Sequence, residues 1–549
     1  MTRLGHDALV TGESRGKLYR TKLVKTETGY VAQTQLLACL SMLTVDCCLA
    51  PDGLRVACHS GGPDWGSGPT VEALSHQVFR PSHPQPAVVW SNGPREVRVE
   101  FDRPVDPALL KDSLKHIRLT AGKYVRAGDR FESIWPGYAI VQAQKVAPRY
   151  DVPVRSVQLT PDRRTLVLAT DPHAAAIGYG LTLPPMGRPP HDQHAAGDLP
   201  QYPDIDVDFD LTGCEATWVP ADGSAAWTGW LPHPDLQVSR AFTAGSATHD
   251  ELWASMQKPG EFRLRTRIDL NHMLQPAVQP GSRLDFEYPP ETVMLETFTT
   301  GVGEELFDFE RHPDDVANLS KHYISARNGG WVNTSKFGPA TPKVVNLDLH
   351  LRHSGGELPL TFSFTTDADS RPRPLPIRRF FLPWSEMATT IATESVAIHY
   401  PELDGGSWAR GRTVFFSEEA ACSKCHSVHA RGGNLAPDLS NLIHRDYTSV
   451  LRDIEKPSFA INPDHLAYVI ALKDGRVLTG VMHSVNGRLQ IGDTKGNITE
   501  IAQGDIDQIT ASSVSVMPEG LPKLLGQEKL RDLLAFLLLH AGDARLRHR

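Results

Sequence analysis

Two cysteines three residues apart, with a histidine directly after the second, stand in the run AACSKCHSVH (420 to 429). Positions three and four apart on a helical turn share a face, so Cys422, Cys425 and His426 converge on one point. The residues around such a turn must build a compact unit that closes over whatever the three groups hold. Seven cysteines and 23 histidines in 549 residues would give this spacing by accident in roughly 0.3% of shuffles, so the pattern is read as chemistry rather than chance.

Three chemistries use cysteines paired in this way. Zinc needs two further ligands, but the remaining cysteines lie far upstream, and His429 and His444 match no familiar zinc module. A dithiol redox pair calls for a βαβ pattern that the flanking sequence lacks. The spacing C-x-x-C-H is the attachment signature of c-type haem, in which both thiols add to the vinyl groups on one porphyrin edge and the imidazole sits under the iron. Cys422 and Cys425 are therefore the expected covalent anchors of one haem c, and His426 an axial ligand. The second axial ligand is expected from the loop before a closing helix. There VSVMPEGLPKLL supplies Met517, followed by an amphipathic stretch whose buried face is Leu530, Leu533, Leu534 and Leu537. Met482 is the competing methionine, but it lies in a strand-like run, VLTGVMHSV.

Between these anchors, Ala436-Pro437-Asp438-Leu439 resembles the proline-containing loop of small cytochromes. The resemblance implies that the Pro437 carbonyl orients the His426 ring and tunes the iron. The plainer alternative is a turn in which Asp438 caps a helix. Gly411, Phe415, Phe416 and Phe536 are expected to pack where the first and last helices of this unit cross.

The chain is too long for one core and should hold about three to five domains. With 42 prolines, 44 glycines and ordinary apolar content, the expectation is a multidomain, mostly β protein. Residues 1 to 80 hold a hairpin broken at Pro51-Asp52-Gly53, expected to be the remnant, the last blade, of a β-propeller. Residues 81 to 186 carry the alternating strands VRVEF, VRSVQLT and TLVLAT and are expected to form an immunoglobulin-like β-sandwich. The linker MGRPPHDQHAAGDLPQYPD follows, then a larger β-sandwich or jelly roll over 204 to 385. The turn-rich DADSRPRPLPIRRFF leads on to the haem-binding domain at 405 to 541. Within it, AYVIAL, VLTGVM, LQIGD and ITEIA, at about 466 to 510, read as a compact β unit.

A β unit inserted between a haem motif and a late methionine resembles the haem-binding domain type of Planctomycetes and Verrucomicrobia. The matching residues are GRTVFF, CSKCH, APDLSNL, IEKPSFAINPDH, KDGRVLTG and SVMPEGL. The resemblance covers about 135 residues. It implies an α-helical cytochrome c fold with a small inserted β-barrel, and upstream a propeller similar to those of sugar or quinoprotein dehydrogenases. Ala436 departs from the glycine more common in that family.

The implied function is electron transfer by a His/Met-ligated haem, with a donor dehydrogenase and an electron acceptor as partners, and no catalysis assigned to this chain. The alternative is a carbohydrate-binding or cell-surface protein with an accessory haem domain. For that reading Trp218, Trp227, Trp230, Trp253 and Trp331 would stack on polysaccharide, whereas core packing is the plainer role. Asp204, Asp206, Asp208 and Asp210 line one side of a strand, and such a row either binds calcium or faces solvent. A formal charge of −8 with mixed signs excludes a nucleic-acid role. Leu36 to Ala50 is too short and polar to span a bilayer. Haem of this kind is attached outside the cytoplasm, so a periplasmic or otherwise exported location is expected. The first residues lack a secretory signal, and the start of the chain is expected to be truncated. Cys39, Cys47, Cys48 and Cys58 offer one disulfide in an exported protein, Cys48 with Cys58 being one pairing.

Overall fold

The structure is a computed structural model. It describes residues 8–12, 17–39, 43–50, 53–59, 69–74, 84–125, 146–186, 205–271, 273, 292–308, 321–327, 329–338, 344–367, 369–386, 400–485 and 488–539. The protein is multidomain and mostly β, with several separate antiparallel sheets.

The N-terminal strands form two three-stranded sheets, Ala8–Gly12 with Lys17–Thr26 and Gly29–Cys39, and Leu43–Ala50 with Gly53–His59 and Pro69–Leu74. Among the described residues each of these sheets has three strands, against the four of a propeller blade. A three-stranded sheet needs a partner to bury its apolar face. Here Val24 and Val31 pack on Val238, Phe242 and Ile377 of the larger domain. The hairpin register sets Cys48 opposite Arg55 and Cys58 opposite Thr44, so these two cysteines are not cross-strand neighbours.

The next domain is a sandwich of two four-stranded sheets. One joins Pro86–Gly93, Glu96–Phe101, Thr165–Thr170 and Val154–Leu159, and the other Arg149–Asp151, Arg118–Gly122, Gly178–Leu183 and Ile205–Phe209. Val97, Val99, Phe101, Leu166, Leu168, Tyr179 and Leu181 fill the space between them. Ile205–Phe209 was expected to open the following domain, but it pairs with Gly178–Leu183 and completes this one. The linker read at 186 to 204 lies outside the described residues apart from Met186, which is buried in this core. Glu96, Arg98 and Glu100 face away from that core and are nevertheless buried. Their face is covered by other domains, as a strand buried along its whole length requires.

The larger sandwich stacks a sheet of Trp227–Leu231, Cys214–Pro220, Gly260–Asp269, Val344–His353 and Val302–Asp308 on one of Lys321–Arg327, Gly330–Phe337, Val293–Thr299, Leu360–Thr366 and Arg373–Pro374. Trp218, Phe262, Leu347, Leu349, Phe362 and Phe364 lie between them. The proline- and arginine-rich segment read as a passage to the last domain is woven into this one. Arg373–Pro374 pairs with Leu360–Thr366, and Phe380–Phe381 with Gly260–Asp269.

The C-terminal unit begins with a helix, Trp408–Phe415, crossed by the last helix, Leu521–Leu538. Gly411 sits at the crossing, where a Cβ would lie 1.8 Å from the Asp532 carbonyl oxygen. Phe415 and Phe536 fill the crossing, with ring centroids 5.5 Å apart. Arg410 makes a forked ion pair with the buried Asp532, at 2.6 and 2.8 Å, and pins the helices together. Leu533, Leu534 and Leu537 are buried on the closing helix, with Leu530 at their edge. The expected inserted barrel is instead an open five-stranded sheet, in the order Ile498–Ile501, Arg488–Gly492, Val477–Val485, Ala467–Leu472, Ile506–Ala511. Among the described residues its two edge strands do not pair, and Ile470, Leu472, Ile491 and Ile501 form its small core.

This unit docks on the first sandwich without a gap. Leu159 and Ile461 exchange two backbone hydrogen bonds of 2.6 and 2.7 Å. Arg452 donates to Glu96 at 2.9 Å, and Arg98 and Arg452 both stack on the Phe459 ring, at 5.4 and 4.4 Å. Among the described residues no helix is long and apolar enough to cross a membrane.

Candidate functional site

The residues Cys422–Cys425 form a single helical turn, entered through Ala421 in the left-handed conformation (φ 51°) and closed by the His426 amide donating to the Cys422 carbonyl at 2.9 Å. The segment 433 to 439 is laced along this turn. Gly433, Ala436 and Leu439 donate their amides to the carbonyls of Ser423, Cys425 and Ser427, at 2.8, 3.0 and 2.8 Å. At Gly432 the backbone has φ 120°, and a Cβ would lie 2.2 Å from the His426 carbonyl oxygen, so this return requires glycine.

That lacing brings the Pro437 carbonyl to the imidazole. His426 Nδ1 donates to it at 2.8 Å. Burial lowers the His426 pKa, so the ring is neutral near pH 7. With the proton on Nδ1, the Nε2 lone pair is left open for a metal. Asp438 accepts from Ser427 Oγ at 2.6 Å and from the Ser440 amide at 2.8 Å, which makes it the brace of this loop rather than a helix cap.

Cys422 and Cys425 are both free thiols. Burial pushes the Cys422 thiol up to about 11, and burial followed by the charge of Asp493 raises Cys425. Dithiol exchange runs through a thiolate, so these environments work against a redox pair. No group of three or more metal-ligating side chains occurs among the described residues, neither around Cys422 nor along Asp206, Asp208 and Asp210. Asp206 accepts from Thr182 and Asp210 from Thr212.

Met517 packs on the same apolar cluster as Cys422, alongside Leu439, Phe415 and Leu521. Its loop is tethered, with the Met517 amide on Ser515 Oγ at 3.1 Å and the Ser515 amide on Ser458 Oγ at 3.2 Å. Met482 packs instead on the core of the five-stranded sheet. The structure thus gathers Cys422, Cys425, His426 and Pro437 into one hydrogen-bonded turn and sets Met517 on the cluster beside it. Sequence reasoning missed His465 and His483, which donate to the Leu435 carbonyl from 30 and 48 residues away, at 3.2 and 3.3 Å.

No family model matches the chain, and no curated protein matches it. Among solved structures, an anti-sigma factor domain-containing protein aligns at 12% identity over 60% of this chain and 99% of its own, with a TM-score of 0.19. A likeness that weak carries no argument about fold or function.

Elsewhere, Ser246 Oγ hydrogen-bonds both Glu100, at 2.5 Å, and His249 Nδ1, at 2.6 Å. This serine, histidine and carboxylate resemble a hydrolytic triad in composition only. Ser246, His249 and Glu100 are fully buried, and Ser246 caps the helix Ala247–Ser255. Of the five tryptophans, Trp218, Trp230 and Trp253 are buried, Trp227 packs on the core, and Trp331 is exposed, so they form no shared platform. A cleft of about 250 Å³ does open between the sandwiches, lined by Asn92, Thr217, Thr228, Arg263, Arg265 and Trp384.

Proposed function

We propose that this chain is an electron-transfer protein carrying one c-type haem bound covalently through Cys422 and Cys425, with His426 and Met517 as the iron's axial ligands. The observation that carries the reading is the His426–Pro437 hydrogen bond of 2.8 Å directly after the two free thiols. It sets the tautomer that a metal-bound imidazole needs. The donor set fits the group. Two protonated thiols lie on one turn, a neutral imidazole follows them, and a thioether packs on the adjoining apolar cluster. Bound there, the haem supplies a one-electron couple, and histidine with methionine favours a relatively high potential.

The chain's own residues hold, orient and shield. The thiols fix one porphyrin edge, the Pro437 carbonyl locks the ring, and the crossing of Trp408–Phe415 with Leu521–Leu538 closes the apolar side. Held by both His426 and Met517, the iron would serve to carry electrons between a donor dehydrogenase and an acceptor rather than to transform a substrate. Export, where such haem is attached, and the likeness to the planctomycete type of domain belong to the same proposal. The test is an optical spectrum of protein made with haem-maturation machinery. The weak far-red band of methionine-ligated ferric haem is expected in the native protein and lost in Met517→Ala. Its persistence in the variant would assign the ligand elsewhere.

A second reading, saccharide binding, draws on the cleft between the sandwiches. Guanidinium, hydroxyl, amide and indole groups meet there, the kinds of group that bind diols and stack on sugar rings.

A further inference from the structure

The five-stranded sheet contributes no donor atom to the proposed haem site, yet it is in contact with the loop that orients His426. His465 Nδ1 and His483 Nε2 both donate to the Leu435 carbonyl, at 3.2 and 3.3 Å, with ring centroids 5.8 Å apart. A carbonyl oxygen has two lone pairs and accepts both bonds. The other end of the same peptide unit, the Ala436 amide, donates to the Cys425 carbonyl at 3.0 Å. Hydrogen bonds accepted at one end of a peptide polarise it and strengthen donation at the other. Two residues on, Pro437 accepts the His426 Nδ1 proton. The proline fixes its own φ and restricts Ala436, which limits how far the Leu435 and Pro437 carbonyls can move independently. The Leu435 side chain is wedged against the sheet as well. A Cβ at Gly492 would lie 2.0 Å from Leu435 Cδ1.

We propose that His465 and His483 are positioning residues for His426: by clamping the Leu435 carbonyl they fix loop 435 to 437 and, through the Pro437 carbonyl, the tautomer and orientation of the imidazole. The consequence for the iron rests on the haem reading, whereas the clamp itself rests only on the contacts above. A hydrogen bond from Nδ1 makes the imidazole more basic and favours the oxidised metal. Loosening the clamp therefore raises the midpoint potential. The scale for lost outer-shell partners is on the order of tenfold, which for a one-electron couple is about 59 mV.

The test uses the full chain in two forms. In the haem-free protein with reduced thiols, isotope-labelled histidine NMR reads the His426 tautomer, its signal assigned by loss in His426→Asn. A single Nδ1–H tautomer is expected in the native chain and a mixture in His465→Phe/His483→Phe. His465→Gln/His483→Gln keeps an N–H donor at each position and should restore the native signal. In the haem-loaded protein the Phe pair should raise the midpoint potential by about 59 mV, a tenfold fall in the oxidised-to-reduced ratio at fixed potential, and the Gln pair should return it. If the double Phe variant does not fold, the single variants carry the same two readouts. A lowered melting temperature with unchanged tautomer and potential would mean a merely structural role and would overturn the proposal. Failure of the native chain to bind haem would remove the haem reading, while the tautomer measurement would still decide the clamp.

Discussion

Replacing Arg452 by methionine should loosen the C-terminal unit from the first sandwich. Glu96 is buried at that junction, with Arg98 at 2.8 Å and Arg452 at 2.9 Å. Burial alone would raise the Glu96 pKa, but the two guanidinium groups overcome it and hold the carboxyl at about 2 rather than 4.5. A displacement of that size favours the ionised folded state by about 3 kcal/mol. Methionine keeps an apolar stem against Phe459 but leaves the carboxylate only one guanidinium, that of Arg98, beside the Asn92 amide at 3.1 Å. Breaking one side of a buried pair costs about 3 to 5 kcal/mol, and the remaining Arg98 bond places the loss at the lower end. Unfolding of several domains is not a single transition, so native-state hydrogen exchange of the helix Tyr447–Glu455 is the assay. Its opening free energy should fall by about 3 kcal/mol at neutral pH. Because the folded pKa is depressed, the stabilisation is complete above the ordinary carboxyl range and drains as pH falls from about 4.5 toward 2. Glu96→Gln should abolish that acid-range dependence. A loss below about 0.5 kcal/mol in Arg452→Met, with an unchanged acid limb, would refute the reasoning.

Two further outcomes follow from packing and from the cleft. Gly411→Ala places a methyl 1.8 Å from the Asp532 carbonyl and should cost at least about 1 to 3 kcal/mol by forcing the two helices apart; an unchanged thermal midpoint of the C-terminal unit would contradict that crossing. If the cleft binds saccharide, soluble polysaccharide should be retained by the full chain and released by Arg263→Ala/Arg265→Ala. Both arginines are surface-paired, to Asp348 and Glu215, so the folded state should lose only about 1 kcal/mol or less. Equal retention by the variant would remove the second reading.

Much of the fold was legible because alternation writes itself into short windows. VRVEF, VRSVQLT and TLVLAT each became the strand expected. What a strand does not carry is the address of its partner. Ile205–Phe209 therefore looked like the start of a new domain when it closes the old one. Ile506–Ala511 was missed because most of its side chains are exposed, so it lacks an apolar period, and its place is set by pairing with Ala467–Leu472. Glu96, Arg98 and Glu100 alternate with apolar residues, a pattern typical of a strand with one face in water. The burial of that face comes from far along the chain, with Arg452 on Glu96 and Ser246 and Ala247 on Glu100.

At the candidate site, the local parts were readable and the distant ones were not. Cys422, Cys425 and His426 are consecutive on one turn, and the proline loop lies 11 residues away, so its hydrogen bond to His426 could be anticipated. His465 and His483 carry no spacing signal that ties them to Leu435. Nothing short of the folded sheet brings their rings to one carbonyl.

The proposed electron carrier depends on a covalent haem at Cys422 and Cys425. The most direct test is denaturing mass spectrometry, with an absorption spectrum of the unfolded chain, on full-length protein exported in a host with haem-maturation machinery. The expected mass is that of the chain plus one haem, retained through denaturation and absent in Cys422→Ser/Cys425→Ser. A native chain at its bare mass, or haem that washes away on unfolding, would contradict it.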